Sequence, residues 1–127
     1  MRIYGLKMHS IILDTDFILH SVENKVDIFE EIRRISDFKY KVFILDKTLD
    51  ELKGKKYEKM ALKLLKDKVE IIETKRDKKV DDLLFELNIE NMVVCTTDKE
   101  LKEKLKKRNI PVIHLRKKTH LVIDNVL

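Results

Sequence analysis

Glycine is scarce in this chain, and its scarcity excludes two large classes of nucleotide-binding protein. Only Gly5 and Gly54 occur among the 127 residues. P-loops and dinucleotide-binding loops need several glycines at fixed offsets, because their backbone must approach the phosphates closely. The sequence therefore predicts neither a P-loop NTPase nor a dinucleotide-dependent enzyme.

Cysteine and long apolar runs are equally scarce. Cys95 is the only cysteine, which excludes a disulfide within the chain and a thiolate zinc site, and its apolar neighbours predict a buried side chain. No apolar run approaches the roughly 18 residues that a membrane helix needs. Residues 1–7 are too few and too polar for a signal peptide. We therefore expect a cytoplasmic protein that does not enter a membrane.

The chain is rich in charge and in apolar residues at once. Charged residues make up 40% of it and hydrophobic residues 43%. That balance at this length predicts one folded domain over residues 1–127, with a core of its own. The formal net charge is +5 and the isoelectric point is about 9.2. A basic balance of this kind suits a polyanionic partner.

Short apolar runs alternate with helical patterns along the chain. Strands are predicted at residues 11–13, 42–45, 69–72, 92–95 and 111–115, and a short edge element at 121–126. Helical spacing of apolar residues predicts one helix over residues 17–35 and another over 80–87. Capping boxes at Thr48–x–x–Glu51 and Thr97–x–x–Glu100 predict two further helix starts. The alternation predicts an α/β fold, a three-layer α/β/α sandwich around a central parallel sheet of about five strands.

Acidic residues stand where the predicted strands end or the following helices begin. Parallel strands and the helices that follow them share one edge of the sheet, so these carboxylates are expected to converge there. Clustered carboxylates repel one another unless a cation lies among them, and oxygen-only clusters select Mg²⁺ or Mn²⁺. The candidates are Asp14, Asp16, Glu51, Asp81, Asp82 and Asp98.

Each acid also has a structural interpretation. Asp and Glu are favoured in the first turn of a helix, where they stabilise it by about 0.3–1 kcal/mol. Glu51 and Asp98 lie in the capping boxes, so capping and chemistry are both open for them. Asp14 directly follows a buried strand, which favours a functional role. Asp81 and Asp82 project about 100° apart on a helix, so only one of them is expected to be a primary ligand.

Four motifs in order give the chain a family resemblance. They are ILDTDF at residues 12–17, TLDELKG at 48–54, VDDLLFEL at 80–87, and VVCTTDKELKEKL at 93–105 followed by IPVIHL. Together they resemble a PIN domain, most closely the VapC-type and archaeal ribosome-processing ribonucleases. The resemblance spans residues 11–115.

The resemblance implies a Mg²⁺- or Mn²⁺-dependent endoribonuclease. It implies metal coordination by Asp14, Asp81 and Asp98, with Glu51 completing the cluster or positioning a water. Asp16 and Asp82 are secondary candidates, and Thr97 is expected to orient Asp98. The partners it implies are RNA and either an antitoxin, for a toxin, or a pre-ribosomal particle, for an rRNA-processing factor. Homodimers are common in the family, and the oligomeric state stays open.

An acidic pocket that cuts RNA needs a basic rim, because the RNA backbone is itself anionic. Lysines and arginines near the predicted acids are the expected RNA contacts: Lys53, Lys55, Lys56, Arg76, Lys78 and Lys79. A further basic group follows the fifth strand, at residues 116–118. The cations of residues 102–108 are expected to be the solvated face of a helix.

Two other functions fit parts of the sequence. Asp14-Thr15-Asp16 after a strand also resembles the start of haloacid-dehalogenase-like phosphatases, with Asp14 as nucleophile and Asp16 as general acid. That family usually has Thr or Val where this chain has Ile18, and it leaves Glu51 without a role. A non-catalytic module that binds RNA or protein is the other alternative, with the acids as helix caps.

Overall fold

A six-stranded sheet organises residues 7–124, the part of the chain that the structure, a computed structural model, describes. The strands are β1 (Met8–Leu13), β2 (Lys39–Leu45), β3 (Glu70–Ile72), β4 (Met92–Cys95), β5 (Val112–Arg116) and β6 (His120–Asp124). Their order is β3-β2-β1-β4-β5-β6, and all neighbours are parallel except β5 and β6. The predicted parallel sheet is confirmed, with an antiparallel edge strand added.

Helices cover both faces of the sheet, which confirms the three-layer architecture. They are α1 (Thr15–Glu23), α2 (Ile28–Ile35), α3 (Asp46–Leu52), α4 (Glu58–Leu65), α5 (Val80–Glu86) and α6 (Lys99–Lys107). Apolar residues of α1 to α4 form one core cluster with the sheet, and those of α5 and α6 form a second cluster on the opposite face.

Strand β1 lies at the centre of the sheet and is buried on both faces. Ile11 and Leu13 belong to the first core cluster, whereas Ile12 belongs to the second. All three side chains are fully buried. A strand that packs on both faces reads as a continuous apolar run, and this is why residues 11–13 were identifiable as a central strand. The residue that follows the run, Asp14, therefore lies at the middle of the carboxyl edge.

The single helix predicted over residues 17–35 is wrong, because the chain breaks it in two. Helix α1 ends at Glu23, and Lys25 adopts a left-handed backbone with φ of 58°. Helix α2 begins after Asp27, whose side chain accepts a hydrogen bond from the N–H of Glu30. Asn24 and Asp27 are residues that favour helix ends and helix starts. The apolar periodicity ran across this break, since both helices face the same core.

Neither predicted capping box forms as expected. Helix α3 begins at Asp46, directly after β2, so Thr48 lies inside the helix with a buried hydroxyl instead of capping it. Helix α6 begins one residue later than predicted, and its cap is Asp98, whose Oδ1 accepts the N–H of Leu101 at 3.0 Å. In both places the end of the preceding strand determines where the helix starts. The local sequence does not show at which residue that strand ends.

Both ends of the chain include residues that the structure does not describe. The edge element predicted at residues 121–126 corresponds to β6, and residues 125–127 lie outside the described residues, as do residues 1–6 of the N-terminal segment. Throughout residues 7–124, each helix is too short or too polar to span a lipid bilayer. Cys95 is buried, as predicted.

Candidate active site

Asp14 occupies the centre of the carboxyl edge. Its backbone N–H donates a hydrogen bond of 2.9 Å to the carbonyl of Cys95, so the turn after β1 is attached to the end of β4. Its side chain is only 5% exposed. Oδ2 of Asp14 accepts a 2.9 Å hydrogen bond from the hydroxyl of Thr96. The carboxylate therefore stands at the junction of the two central strands.

Burial raises the pKa of Asp14 to about 7, although the hydrogen bond from Thr96 opposes the shift. Repulsion by the carboxylates of Asp16 and Asp81 adds to the rise. Asp14 follows β1, Asp16 lies in α1 and Asp81 lies in α5, so the three carboxylates come from different elements. A carboxylate in this situation binds either a proton or a cation, because an unneutralised buried charge is costly.

Thr96 joins Asp14 to Asp98. Its hydroxyl donates to Asp14 and accepts the N–H of Asp98 at 3.1 Å, and the side chain is fully buried. The sequence assigned the orienting contact to Thr97. In the structure Thr97 turns the other way, and its hydroxyl lies 3.1 Å from Nδ1 of His20 on α1. Thr96 and Thr97 are adjacent, and which of them faces Asp14 and Asp98 depends on where β4 ends.

Glu51 fixes the start of helix α5. Its Oε2 accepts a hydrogen bond of 2.9 Å from the N–H of Val80, the first residue of that helix. The next two residues are Asp81, which is half-buried, and Asp82, which is exposed. Only Asp81 contributes to the pKa shift of Asp14, whereas Asp82 acts on the ammonium of Lys78. Glu51 thus sets the position from which Asp81 faces the centre of the edge.

A cleft of about 640 Å³ opens beside these acids, between α5, α6 and the loop before α5. The acidic residues on its walls are Asp77, Asp81, Asp82, Asp98 and Glu100. Cations stand on the same walls, on β2-α3, the loop and α6: Lys47, Arg76, Lys78, Lys79 and Lys104. The cleft therefore brings carboxylates and cations together on its walls, and it has room for a phosphate and its flanking groups.

The oxygen donors of the edge suit a hard divalent cation, since Mg²⁺ and Mn²⁺ prefer carboxylate ligands. Within residues 7–124, no three His, Cys, Asp or Glu side chains lie close enough together to hold one ion. Asp98 and Glu51 direct carboxylate oxygens at backbone N–H groups instead. The donor chemistry fits the metal, and Asp14, Asp81 and Asp98 are the carboxylates of this edge that could hold it.

Asp46 holds the basic loop of residues 73–79 against the sheet. Its carboxylate accepts hydrogen bonds from the hydroxyl of Thr74 at 2.6 Å and from the N–H of Thr74 at 2.9 Å. The guanidinium of Arg76 lies 3.1 Å from Asp46 and 3.6 Å from Asp50. Asp46 directly follows β2, just as Asp14 directly follows β1. The sequence shows this likeness as the tripeptide ILD, which occurs at residues 12–14 and again at 44–46.

The predicted RNA contacts divide into two groups. Arg76, Lys78 and Lys79 line the cleft, whereas Lys53, Lys55 and Lys56 follow the end of α3 and are not among the lining residues. Two cleft lysines were missed. Lys104 was assigned to the solvated face of α6, and Lys47 was not considered. Helical periodicity separates an apolar face from a polar one, but it does not show which polar positions face a neighbouring helix.

Comparisons with known proteins point to one family. A family model described as a PIN like domain matches residues 11–118. Ribonuclease VapC4 of Methanocaldococcus jannaschii is 33% identical over 129 residues, covering 91% of this chain and 97% of that protein. Ribonuclease VapC9 of Archaeoglobus fulgidus is 29% identical and covers 93% and 91%. A solved structure of the PIN domain endonuclease Utp24 superposes with a TM-score of 0.80 and 25% identity, over 93% of this chain and 92% of that one.

Proposed function

The chain belongs to the PIN-like domain family, and we propose on that basis that it is a metal-dependent endoribonuclease. The relatives named as ribonucleases cover almost the whole chain, which supports a nuclease. Family membership also replaces the haloacid-dehalogenase-like interpretation of Asp14 and Asp16. The observation that carries the proposal is the burial of Asp14 beside Asp16 and Asp81 at the centre of the carboxyl edge.

We assign the metal to Asp14, Asp81 and Asp98, with Asp16 and Asp82 as outer carboxylates. A Mg²⁺ or Mn²⁺ ion bound there supplies Lewis-acid stabilisation of the phosphoryl oxygens during phosphodiester hydrolysis. Thr96 holds the carboxylate of Asp14 in place through its hydroxyl. Glu51 positions α5, and with it Asp81, through the N–H of Val80.

The cations of the cleft bind the RNA backbone in this proposal. Lys47, Lys79 and Lys104 line the cleft together with Asp81 and Asp98, so they offset the repulsion between the acidic centre and the phosphates. Arg76 and Lys78 also line the cleft, and these two cations and Lys104 are each paired with a carboxylate of the protein itself. Lys53, Lys55 and Lys56 lie outside the cleft, and in this proposal they contact only a longer RNA.

Two biological roles fit a ribonuclease of this family. The relatives named VapC favour a toxin, whose activity an antitoxin partner would restrain. The resemblance of the motifs to ribosome-processing PIN domains favours a processing factor that acts on a pre-ribosomal particle, and the similarity to the endonuclease Utp24 supports an endonuclease. Both roles use an RNA substrate and a cytoplasmic protein. Expression in a host cell without an antitoxin separates them, because a toxin should stop growth and a processing factor should be tolerated.

The test is cleavage of a labelled single-stranded RNA with Mg²⁺ or Mn²⁺, with EDTA, and with Asp14→Asn or Asp98→Asn. Asparagine keeps an acceptor for Thr96 and for the N–H of Leu101, so both variants are expected to fold. Asp37→Asn, an exposed change in the segment before β2, is the matched control. We expect metal-dependent cutting that is lost in the first two variants and kept in the control.

A non-catalytic RNA-binding module is the second candidate. It is favoured by one observation, that Asp98 and Glu51 use their carboxylates as caps for backbone N–H groups. It predicts RNA binding that is indifferent to Mg²⁺ and to Asp14→Asn, with no cutting. That outcome in a protein that binds RNA would replace the nuclease proposal.

A further inference from the structure

The turn between β5 and β6 extends beyond the acidic edge. Strand β5 runs parallel to β4, with Ile113 level with Cys95. It continues to Arg116, three residues further, which is about 10 Å at the rise of a strand. Residues 117–119 then form the turn to β6. The tip of this hairpin therefore extends beyond the ends of the neighbouring strands, next to β4, which Asp98 follows by three residues.

The hairpin tip is basic, and its charge is not neutralised within the described chain. Arg116, Lys117 and Lys118 are all exposed. Across residues 7–124, no Asp or Glu carboxylate forms an ion pair with any of the three. In the loop before α5, by contrast, Arg76 is paired with Asp46 and Asp50. The tip is thus a cluster of cations without internal counter-charges.

Both lysines of the tip have a backbone conformation that lysine disfavours. Lys117 has φ of 53° and Lys118 of 58°, and the N–H of Thr119 donates to the carbonyl of Arg116 at 3.1 Å. A hairpin turn with positive φ at both central residues favours Asn-Gly. A side chain with a Cβ crowds the following carbonyl oxygen in the left-handed region, so lysine is disfavoured there. Strained residues of this kind concentrate at functional sites.

We infer that the tip, residues 116–118, is a second RNA-binding arm that holds the phosphate backbone on the β5 side of the acidic centre. The inference rests on the proposed function. Along the edge, the loop of residues 73–79 follows β3, the acids follow β1 and β4, and the tip follows β5. A strand of RNA crossing the acids therefore meets cations on both sides, and the tip supplies the side that the cleft lacks.

The test replaces the two strained lysines by the residues that the turn prefers. Lys117→Asn with Lys118→Gly removes two charges and relieves the backbone strain, so the protein should melt at an equal or higher temperature. Binding of a fluorescent single-stranded RNA, measured in EDTA so that nothing is cut, should weaken about tenfold at moderate salt. The slope of log affinity against log salt should fall by about 1.4, which is about 0.7 for each lost contact.

Two further variants distinguish a local contact from charge alone. Lys25→Asn with Lys39→Gln removes two exposed lysines at the other end of the sheet, and Lys25 also has a left-handed backbone. It should bind RNA as the unchanged protein does. Lys117→Arg with Lys118→Arg keeps the charge and should keep the binding.

The outcomes separate the inference from the function on which it rests. Equal weakening in the tip variant and the Lys25 and Lys39 control would overturn the inference, since net charge alone would explain it. Unchanged binding in the tip variant, while the unchanged protein binds and cuts RNA, would also overturn it and leave the nuclease intact. If the unchanged protein neither binds nor cuts RNA, the proposed function fails, and the inference fails with it.

Discussion

The hydroxyl of Thr96 donates a 2.9 Å hydrogen bond to Oδ2 of Asp14, across 82 positions of sequence. The hydroxyl oxygen of Thr96 also accepts a hydrogen bond from the N–H of Asp98. One buried side chain therefore sets the distance between two proposed metal ligands. Partners of this kind orient a ligand without binding the metal themselves, and their loss commonly lowers affinity or activity by about 10–100-fold.

Thr96→Val should therefore reduce cleavage by about 10–100-fold, whereas Thr96→Ser should stay near the unchanged protein. Valine has nearly the shape of threonine but no hydroxyl, so Asp14 loses its donor and the N–H of Asp98 loses its acceptor. The measurement is the Mg²⁺ or Mn²⁺ concentration needed for half-maximal cleavage, which should rise in the valine variant and return in the serine variant. An unchanged metal requirement in folded Thr96→Val would refute the positioning role.

Glu51→Gln and Glu51→Ala should differ sharply. Glutamine keeps an oxygen for the N–H of Val80, so helix α5 should hold its place and most cleavage should remain. Alanine removes that acceptor and should lower the free energy of unfolding by about 1 kcal/mol, together with the activity. Denaturant unfolding and RNA cleavage are measured on both. Loss of cleavage in Glu51→Gln at unchanged stability would mean that the negative charge of Glu51 acts in the chemistry.

Asp81→Asn should impair cleavage far more than Asp82→Asn. Asp81 is half-buried and acts on Asp14, whereas Asp82 is exposed beside Lys78. We expect a loss of about 10²-fold or more for the first, which is the scale of a lost charge-stabilising group. Initial rates at saturating Mn²⁺ compare the pair, and each variant serves as the other's control. Equal losses would assign both aspartates to the metal.

Asp46 should make the protein sensitive to acid. Burial by itself would raise the pKa of Asp46, but hydrogen bonds from Thr74, Arg76 and the N–H of Lys47 lower it to about 2. Because the folded pKa lies below the ordinary value of 3.8, this carboxylate stabilises the fold above about pH 4. That contribution is lost as the pH falls through about 2.

Unfolding measured from pH 7 to pH 2 tests this. Asp46→Asn should be less stable at pH 7 by about 1–2 kcal/mol and should lose less stability than the unchanged protein between pH 4 and pH 2. Asp50→Asn is the control, since Asp50 shares only the longer ion pair with Arg76. Parallel pH curves for Asp46→Asn and the unchanged protein would contradict the assignment.

The parts of the site that follow from local pattern were predictable. Residues 11–13 identify a doubly buried strand because apolar runs of that length pack on both faces, and Asp14 must then lie at its carboxyl end. The alternation of strands and helices likewise implies one shared edge for the acids after β1 and β4. Even the break in the first helix had a local signal, in Asn24 and Asp27, although the apolar periodicity concealed it.

The sequence by itself thus determined the fold class, the central strand and the edge at which the acids gather, because each depends on the burial pattern of a short segment. Only the tertiary structure decided that Thr96 and not Thr97 contacts Asp98, that Glu51 holds the start of α5, and that Lys104 lines the cleft while Lys53 does not. Each of these outcomes depends on contacts between segments that are distant in sequence. For the two threonines, a shift of one residue in the register of β4 would exchange the side chain that faces Asp98, and no local pattern specifies that register.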